Sequence, residues 1–404
     1  MPDVRCLSIH ATYRCGHSGA CCTAGWPIPV EVGRLDRLRR AVGNGALQVR
    51  GTPAVADAPG GTGPATTAPA DEAAFLFPPG APEETPAVLR AHDGRCVFLD
   101  GAPGATSCRV HATLGHDALP LACRQFPRVS VMDPRGTSVT LSHYCPTAAA
   151  LLEAPGPVEI VSSAPAFPAA GEYDGLDAAR SLPPLLTPTL LMDWQAWWDW
   201  EARAVDRLAN DPGPVEDRLA RLRAAADRVA AWTPSAGPLL PAVARAFDDT
   251  RVRPADAGAL SPARLAALVD DTLASVPEGL RGAIPPAVVA WRREASGRPS
   301  AERGTAGIGG PGTSGPGISA PGIGVPAPGA PVADERTLGR LLAAHAFGSW
   351  TAHLGRGLAA WVRSIEAVYA LTRAGLGVRE VDLVVRHLAD PNVLARRYSA
   401  AMNG

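Results

Sequence analysis

The stretch "CGHSGACCTAGW", residues 15–26, decides how this chain is read. Cys15 lies six residues before the adjacent pair Cys21 and Cys22, with glycines between them. A glycine-rich segment with three thiols builds neither a regular helix nor a strand. It reads as a loop that holds sulfur atoms in fixed positions. Moving outward, the chain carries eight cysteines: Cys6, Cys15, Cys21, Cys22, Cys96, Cys108, Cys123 and Cys145. None lies beyond residue 145 of the 404. The chain is therefore asymmetric, with a thiol-rich first third and a thiol-free remainder.

That length suits two or three domains, and 46% hydrophobic residues suffice for a substantial core. The formal net charge is -1, with acids and bases interleaved, so nothing draws in nucleic acid or an anionic membrane over long range. All 38 strongly basic residues are arginine, which fits the codon bias of a GC-rich genome. The lack of lysine excludes a Schiff-base or general-base lysine from this chain. The N-terminus lacks a charged segment followed by an apolar one, and no apolar run approaches the ~18 residues of a membrane span. A cytoplasmic location, where thiols stay reduced, is the expectation. There, clustered cysteines point to a metal more readily than to disulfides.

The expected fold class is α+β: a small cysteine-rich N-terminal metal domain with a short β-hairpin, residues 1–155, followed by a mostly helical part. "VEVGRLDRLRRAV" (30–42) has helical apolar spacing. Residues 51–72 form an Ala/Gly/Pro/Thr loop with nothing to pack. "CRVHATLG" (108–115) fits one or two helical turns ending at Gly115. "RVSVMDPRGTSVTLS" (128–142) alternates around a turn and predicts the hairpin. Helices are predicted from 191, from 215 and from Pro262 with Ser261 as N-cap, a helical region spanning 185–292. The Pro/Gly segment 293–334 reads as a disordered linker. Two further helices, around 354–369 and 378–390, complete a region 335–404 that packs with 185–292. Trp194, Trp197, Trp198 and Trp200 recur at helical spacing and read as packing residues.

Zinc takes four thiolate or imidazole ligands, and an iron–sulfur cluster usually takes four thiolates. The candidate metal ligands are Cys15, Cys21, Cys22, Cys96, Cys108, Cys123 and Cys145, expected to meet in space. Cys6 stands outside this set, as the cysteine that could replace the ligand missing at Ser18. His10, His17, His111, His116 and His143 lie near cysteines, and His17 and His111 are the two to examine first. Spacing does not choose between one site with spare thiols and two sites. Arg109, Arg124 and Arg128 follow cysteines closely; they suit either a bound carboxylate or pairing with local acids.

The ordered blocks "CGHSGACCTAGWPIPV", "CVFLD", "CRVHATLGHDALPLACRQFPR" and "VTLSHYCPTAAALL" resemble the bacterial cysteine-cluster proteins of the YkgJ type. Among these the chain looks most like the flagellin lysine-N-methylase branch, where Gly25 and Trp26 follow the double cysteine. The motif-bearing resemblance covers residues 6–152. It implies a zinc/iron-chelating or iron–sulfur centre. For the methylase branch it also implies methyl transfer from S-adenosylmethionine to the lysine of a protein partner; the position of Arg109, Arg124 and Arg128 among the cysteines then makes them the candidates to hold the methionine carboxylate. Ser18 stands where the CxxCxxCC pattern has a cysteine, and there is no strand–GxGxG–helix segment of an ordinary methyltransferase. Two other readings remain: a non-enzymatic iron–sulfur or metal-handling module, and a structural-zinc scaffold for a protein partner.

Overall fold

The computed structural model describes residues 3–24, 28–50, 70–92, 94–101, 106–248, 262–276, 333–373 and 375–388. Mixed α+β architecture is observed. The predicted hairpin forms from strands Arg128–Asp133 and Gly136–Leu141, with Gly136 opposite Asp133. It is the centre of a five-stranded sheet. The N-terminal strand Asp3–Leu7 runs parallel to Gly136–Leu141, and Ile160–Ser162 closes that edge. Gly175–Asp177 pairs with Arg128–Asp133 on the other side. The sheet thus draws strands from beyond residue 155. Gly136 has φ +128°, and a Cβ there would lie 2.1 Å from the Asp3 carbonyl oxygen. Only glycine lets the first strand approach the hairpin this closely.

Buried charge ties this sheet to the helices. Arg5 donates to Asp133 at 3.2 Å, and Arg135 bridges Asp133 and Glu201 at 2.7 and 2.9 Å. Glu201 accepts from the Gly348 amide at 3.0 Å. Arg135 also lies 4.8 Å from the Trp198 ring centre.

The helical part follows the apolar periodicity. Its helices are Trp194–Asn210, Val215–Ala230, Leu239–Asp248, Pro262–Ala274, Glu335–Ala346 and Leu358–Arg373. Trp197, Trp200 and Trp361 are fully buried at their centre, with edge-to-face ring centroids 5.9 and 6.0 Å apart. This is the packing role expected of the tryptophan run. Asp193 caps the first of these helices by accepting from the Ala196 amide at 2.8 Å. The last predicted helix differs from expectation. It is α-helical over Val378–Asp382 and then widens to a π-helix over Leu383–Leu388. The widening sits where Asp382 and Arg386 enter a buried polar centre described below.

The thiol-rich part is built of short pieces. Helix Val32–Gly43 buries Leu35, Leu38, Ala41 and Val42. It packs with the small sheet Ile28–Val30, Ala87–Leu89 and Phe75–Leu76 and with two-residue strand pairs, including Leu99–Asp100 with Ser107–Cys108. Helix Arg109–Leu114 ends at Gly115, φ +85°, as the sequence predicts. Residues 51–69, Ser261, most of the Pro/Gly segment and the pair Gly25–Trp26 lie outside the described residues. No helix among the described residues is long and apolar enough to cross a membrane.

Candidate metal centre and adjoining cavity

Five of the seven candidate cysteines gather in the small loop-built core. Cys22 and Cys96 are buried there, and Cys21, Cys108 and Cys123 pack against it. Each arrives on a different local device. Gly19, φ +73°, opens the single 3-10 turn Ala20–Cys22. Strand Arg95–Cys96 brings Cys96, and Cys108 occupies the N-cap of helix Arg109–Leu114. Cys123 rides on helix Leu121–Gln125, whose Leu121 amide donates to Glu31 at 2.6 Å.

Cys22 is the hub. Its sulfur lies 3.7 Å from that of Cys21. Sulfurs at about 2.3 Å from one tetrahedral metal stand about 3.8 Å apart, so this contact has the edge length of such a site. The thiols of Cys108, Cys21 and Cys96 act on Cys22, and together they hold its proton on. In return, contact with Cys22 lowers Cys21, Cys96 and Cys108. Cys108 falls to about 6, aided by the Val110 and His111 amides at the helix N-terminus. Burial raises Cys123 instead, with the other thiols adding to it. The donors are soft, close and easily deprotonated. They are neighbouring thiols rather than a formed cage: among the described residues, no three Cys, His, Asp or Glu side chains are disposed to hold a metal ion.

The expected meeting of all seven thiols divides in two. Cys145 packs on the face of the large sheet with Val4, Cys6, Val139 and Leu141. Its sulfur lies 3.8 Å from the Tyr13 hydroxyl. Cys15, on an exposed loop, also acts on that hydroxyl, and burial with these two thiols raises the tyrosine. The reason is positional: Cys145 follows the sheet strand and caps helix Pro146–Ala150, so it stays with the sheet. Cys6 is fully buried in the first strand, and burial pushes its thiol up to about 12. It acts as a small apolar side chain. All eight cysteines are free thiols. His17 and His111 stack with ring centroids 5.9 Å apart, and His116 stands edge-on to His111 at 6.0 Å.

The three arginines part company. Arg109 donates to Asp100 at 3.1 Å, and Arg124 pairs with Glu172 through both guanidinium nitrogens. No hydrogen bond or ion pair holds Arg128 among the described residues. It lines a cavity of about 330 Å³ together with Gln125, Phe126, Ser130, Asp174 and Trp350. Helix Leu121–Gln125 lies between this cavity and the thiols: Cys123 packs toward the cluster, Gln125 lines the cavity, and Ala122 touches both.

Behind the cavity lies a centre that sequence spacing does not reveal. Asp382, fully buried, accepts from Arg386 at 3.0 Å and Ser142 at 2.6 Å. It also faces His345 at 3.2 Å and His143 at 3.5 Å. His143 Nε2 lies 3.2 Å from His10 Nε2. Burial would raise Asp382, but Arg386, His143 and His345 outweigh it and hold the carboxyl well below its ordinary range. Burial lowers His345 and His387 to about 4 and His10 well below its usual value, so these three rings are neutral at pH 7. The Ser142 hydroxyl sits between Asp382 and His387 Nε2, 2.7 Å away. Its proton goes to the carboxylate rather than the imidazole, so this trio is not a serine nucleophile arrangement. Only the Asp382–Arg386 spacing of four residues on a helix is a local signal of the centre.

No protein-family model, curated protein or solved structure matches this chain, so the likeness to the cysteine-cluster proteins rests on the quoted motifs alone.

Proposed function

We propose that this protein carries a soft-metal centre, an iron–sulfur cluster or zinc, on Cys21, Cys22, Cys96, Cys108 and Cys123. The observation that supports the reading is the mutual contact of four thiols from three separate chain segments, three of them with lowered pKa. Thiols on a metal must be deprotonated, and a group that already shares its protons binds one with less loss. Bound there, iron–sulfur would supply electron transfer or an electron-rich centre; zinc would fix the loops.

A second reading is S-adenosylmethionine-dependent methyl transfer to a protein lysine, as the motif resemblance implies. The cavity on the far side of the Cys123 helix favours it over a pure electron carrier, because an electron carrier needs no ligand pocket. The lysine would belong to a partner, since this chain has none.

Anaerobic purification followed by absorption spectroscopy and metal analysis tests the first reading. A broad visible band with iron and acid-labile sulfide, or a colourless protein with stoichiometric zinc, is the expected result. Cys22→Ser should abolish either. A protein that remains metal-free after reconstitution with both metals refutes the metal centre. Incubation with labelled S-adenosylmethionine and a lysine-bearing flagellin tests the second, and no label transfer by the metal-replete protein refutes it.

A further inference from the structure

We infer that the cavity between helix Leu121–Gln125 and strand Arg128–Asp133 binds the α-amino-acid head of a small molecule. Its carboxylate would sit on Arg128 and its ammonium on Asp174 and Gln125. The inference stands on the cavity's own side chains and holds whether or not the thiols carry a metal.

The polar inventory of the walls decides the ligand class. Most charged or titratable groups lining the cavity are engaged with protein: Arg386 and His345 with Asp382, and His387 with Ser142. Arg128 and Asp174 are the exceptions, with no hydrogen bond or ion pair among the described residues, and they do not pair with each other. Arg128 opens strand Arg128–Asp133 and Asp174 immediately precedes strand Gly175–Asp177, both close to the register pair Ser130↔Gly175. Two further atoms are buried without a partner, Ser130 Oγ and Gln125 Oε1. Ser130 is fully buried and Gln125 is 6% exposed. The Gln125 amide nitrogen donates to the Glu172 carbonyl at 2.8 Å, which fixes the side chain and leaves Oε1 as an acceptor awaiting a donor. Leaving such an atom dry and unpaired costs about 1–3 kcal/mol.

A simple anion would satisfy Arg128 and leave the buried Gln125 oxygen unanswered and the solvent-exposed Asp174 carboxylate beside it unneutralised. A simple cation would do the reverse. A zwitterion answers both: its carboxylate takes Arg128 and the Ser130 hydroxyl, which lie two apart on one strand and so share a face. Its ammonium donates to Asp174 and Gln125. The rest of the wall suits an apolar or flat body, since Phe126, Val129 and Val385 line it. So does Trp350, a 42% exposed ring anchored by its Nε1 to the Ser130 carbonyl at 3.0 Å. About 330 Å³ falls within the range of small-molecule sites. The amino-acid head has two sources, a free amino acid or an amino acid bearing a nucleoside.

Calorimetry on the full chain, with the twenty common L-amino acids and S-adenosylhomocysteine as probes, tests this. At least one probe should bind, and binding should weaken ten-fold or more in both Arg128→Gln and Asp174→Asn. The N-acetyl and carboxamide forms of that probe should fail. Neither variant should shift thermal unfolding much without ligand, because neither side chain makes a hydrogen bond or ion pair among the described residues and Arg128 acts only through charge on the neighbouring Tyr173. A free amino acid or the nucleoside-bearing probe as the tightest binder identifies the source. No binding by any probe overturns the inference. So does binding indifferent to both substitutions, or acetate competing as well as the whole amino acid. Amino-acid binding by a protein that cannot be loaded with metal would leave this site standing and remove the metal centre.

Discussion

The thiol cluster and the Asp382 centre are assembled by opposite means. The cluster is local. Its cysteines lie between residues 21 and 123, on a turn, two-residue strands and one short helix, and its members are five groups of one kind. The Asp382 centre gathers His10 from the 3-10 turn Ser8–His10, the Ser142–His143 pair, His345 and the 382–387 segment, and its members are acid, base and hydroxyl in mutual contact. Like groups side by side share protons and invite a cation. Unlike groups neutralise one another and hold the chain together. The first arrangement suits binding and the second suits architecture, and the difference sets the expected effects of mutation.

The largest expected effect lies in the Asp382 centre. Asp382→Ala removes the anion that faces Arg386, His143 and His345, and leaves the buried guanidinium without a carboxylate among the described residues. Breaking a buried pair from one side costs about 3–5 kcal/mol. Urea unfolding at pH 7 should show a loss of that order. A loss under 1 kcal/mol would mean the centre is not what fastens the last helix to the sheet.

Acid should sharpen the same contrast. His345 and His387 stand near 4 in the folded chain, against about 6.5 when unfolded. Between those values the unfolded chain binds the protons and the folded chain does not, so stability falls as pH drops from about 6.5 toward 4. The slope approaches 1.4 kcal/mol per pH unit for each histidine at most. Above pH 6.5 these two rings contribute no pH dependence. His345→Gln with His387→Gln should flatten the acid limb, measured by urea unfolding at pH 5 and pH 7. An unchanged limb would show that other groups carry the acid sensitivity.

These two regions were not equally legible before the fold was seen. Eight cysteines confined to 145 residues stand out by rarity, and rarity alone identifies the group. Which of them meet is another matter. Cys145 looks equivalent to Cys123 in sequence, yet the strand Gly136–Leu141 carries it to the sheet. Helices around 32–43, 109–114, 194–210 and 215–230 follow from apolar period and caps, and the hairpin from alternation about Asp133 and Gly136. The extra sheet strands at 160–162 and 175–177 are too short, three residues each, to leave a period. The Asp382 centre was hidden for a different reason. Its residues are common types, far apart, and joined only by tertiary packing. Arg128 shows the same limit: it, Arg109 and Arg124 all stand near cysteines, and only the fold separates it, without an ion pair among the described residues, from the two that are paired.

The smallest effect on stability should come from the hub of the thiol cluster, and there the contrast is sharpest. Cys22→Ala removes the S–H donor and puts no hydroxyl in its place. It removes the sulfur that lowers Cys21, Cys96 and Cys108. In metal-free protein the loss should be about 1 kcal/mol or less, the range of one modest buried contact. The pKa of Cys108, followed by the pH dependence of alkylation with iodoacetamide, should rise from about 6 toward the ordinary thiol range. Cys6→Ser in the same assay serves as the opposing case. Cys6 is fully buried in the sheet, away from the cluster, so its replacement should leave Cys108 reactivity unchanged while disturbing packing with Val4 and Leu141. If Cys22→Ala leaves Cys108 as reactive as before, then the helix N-terminal amides alone set that thiolate. The four sulfurs would then be neighbours that do not act on one another, and the distinction between a binding cluster and a holding cluster would fail at its first residue.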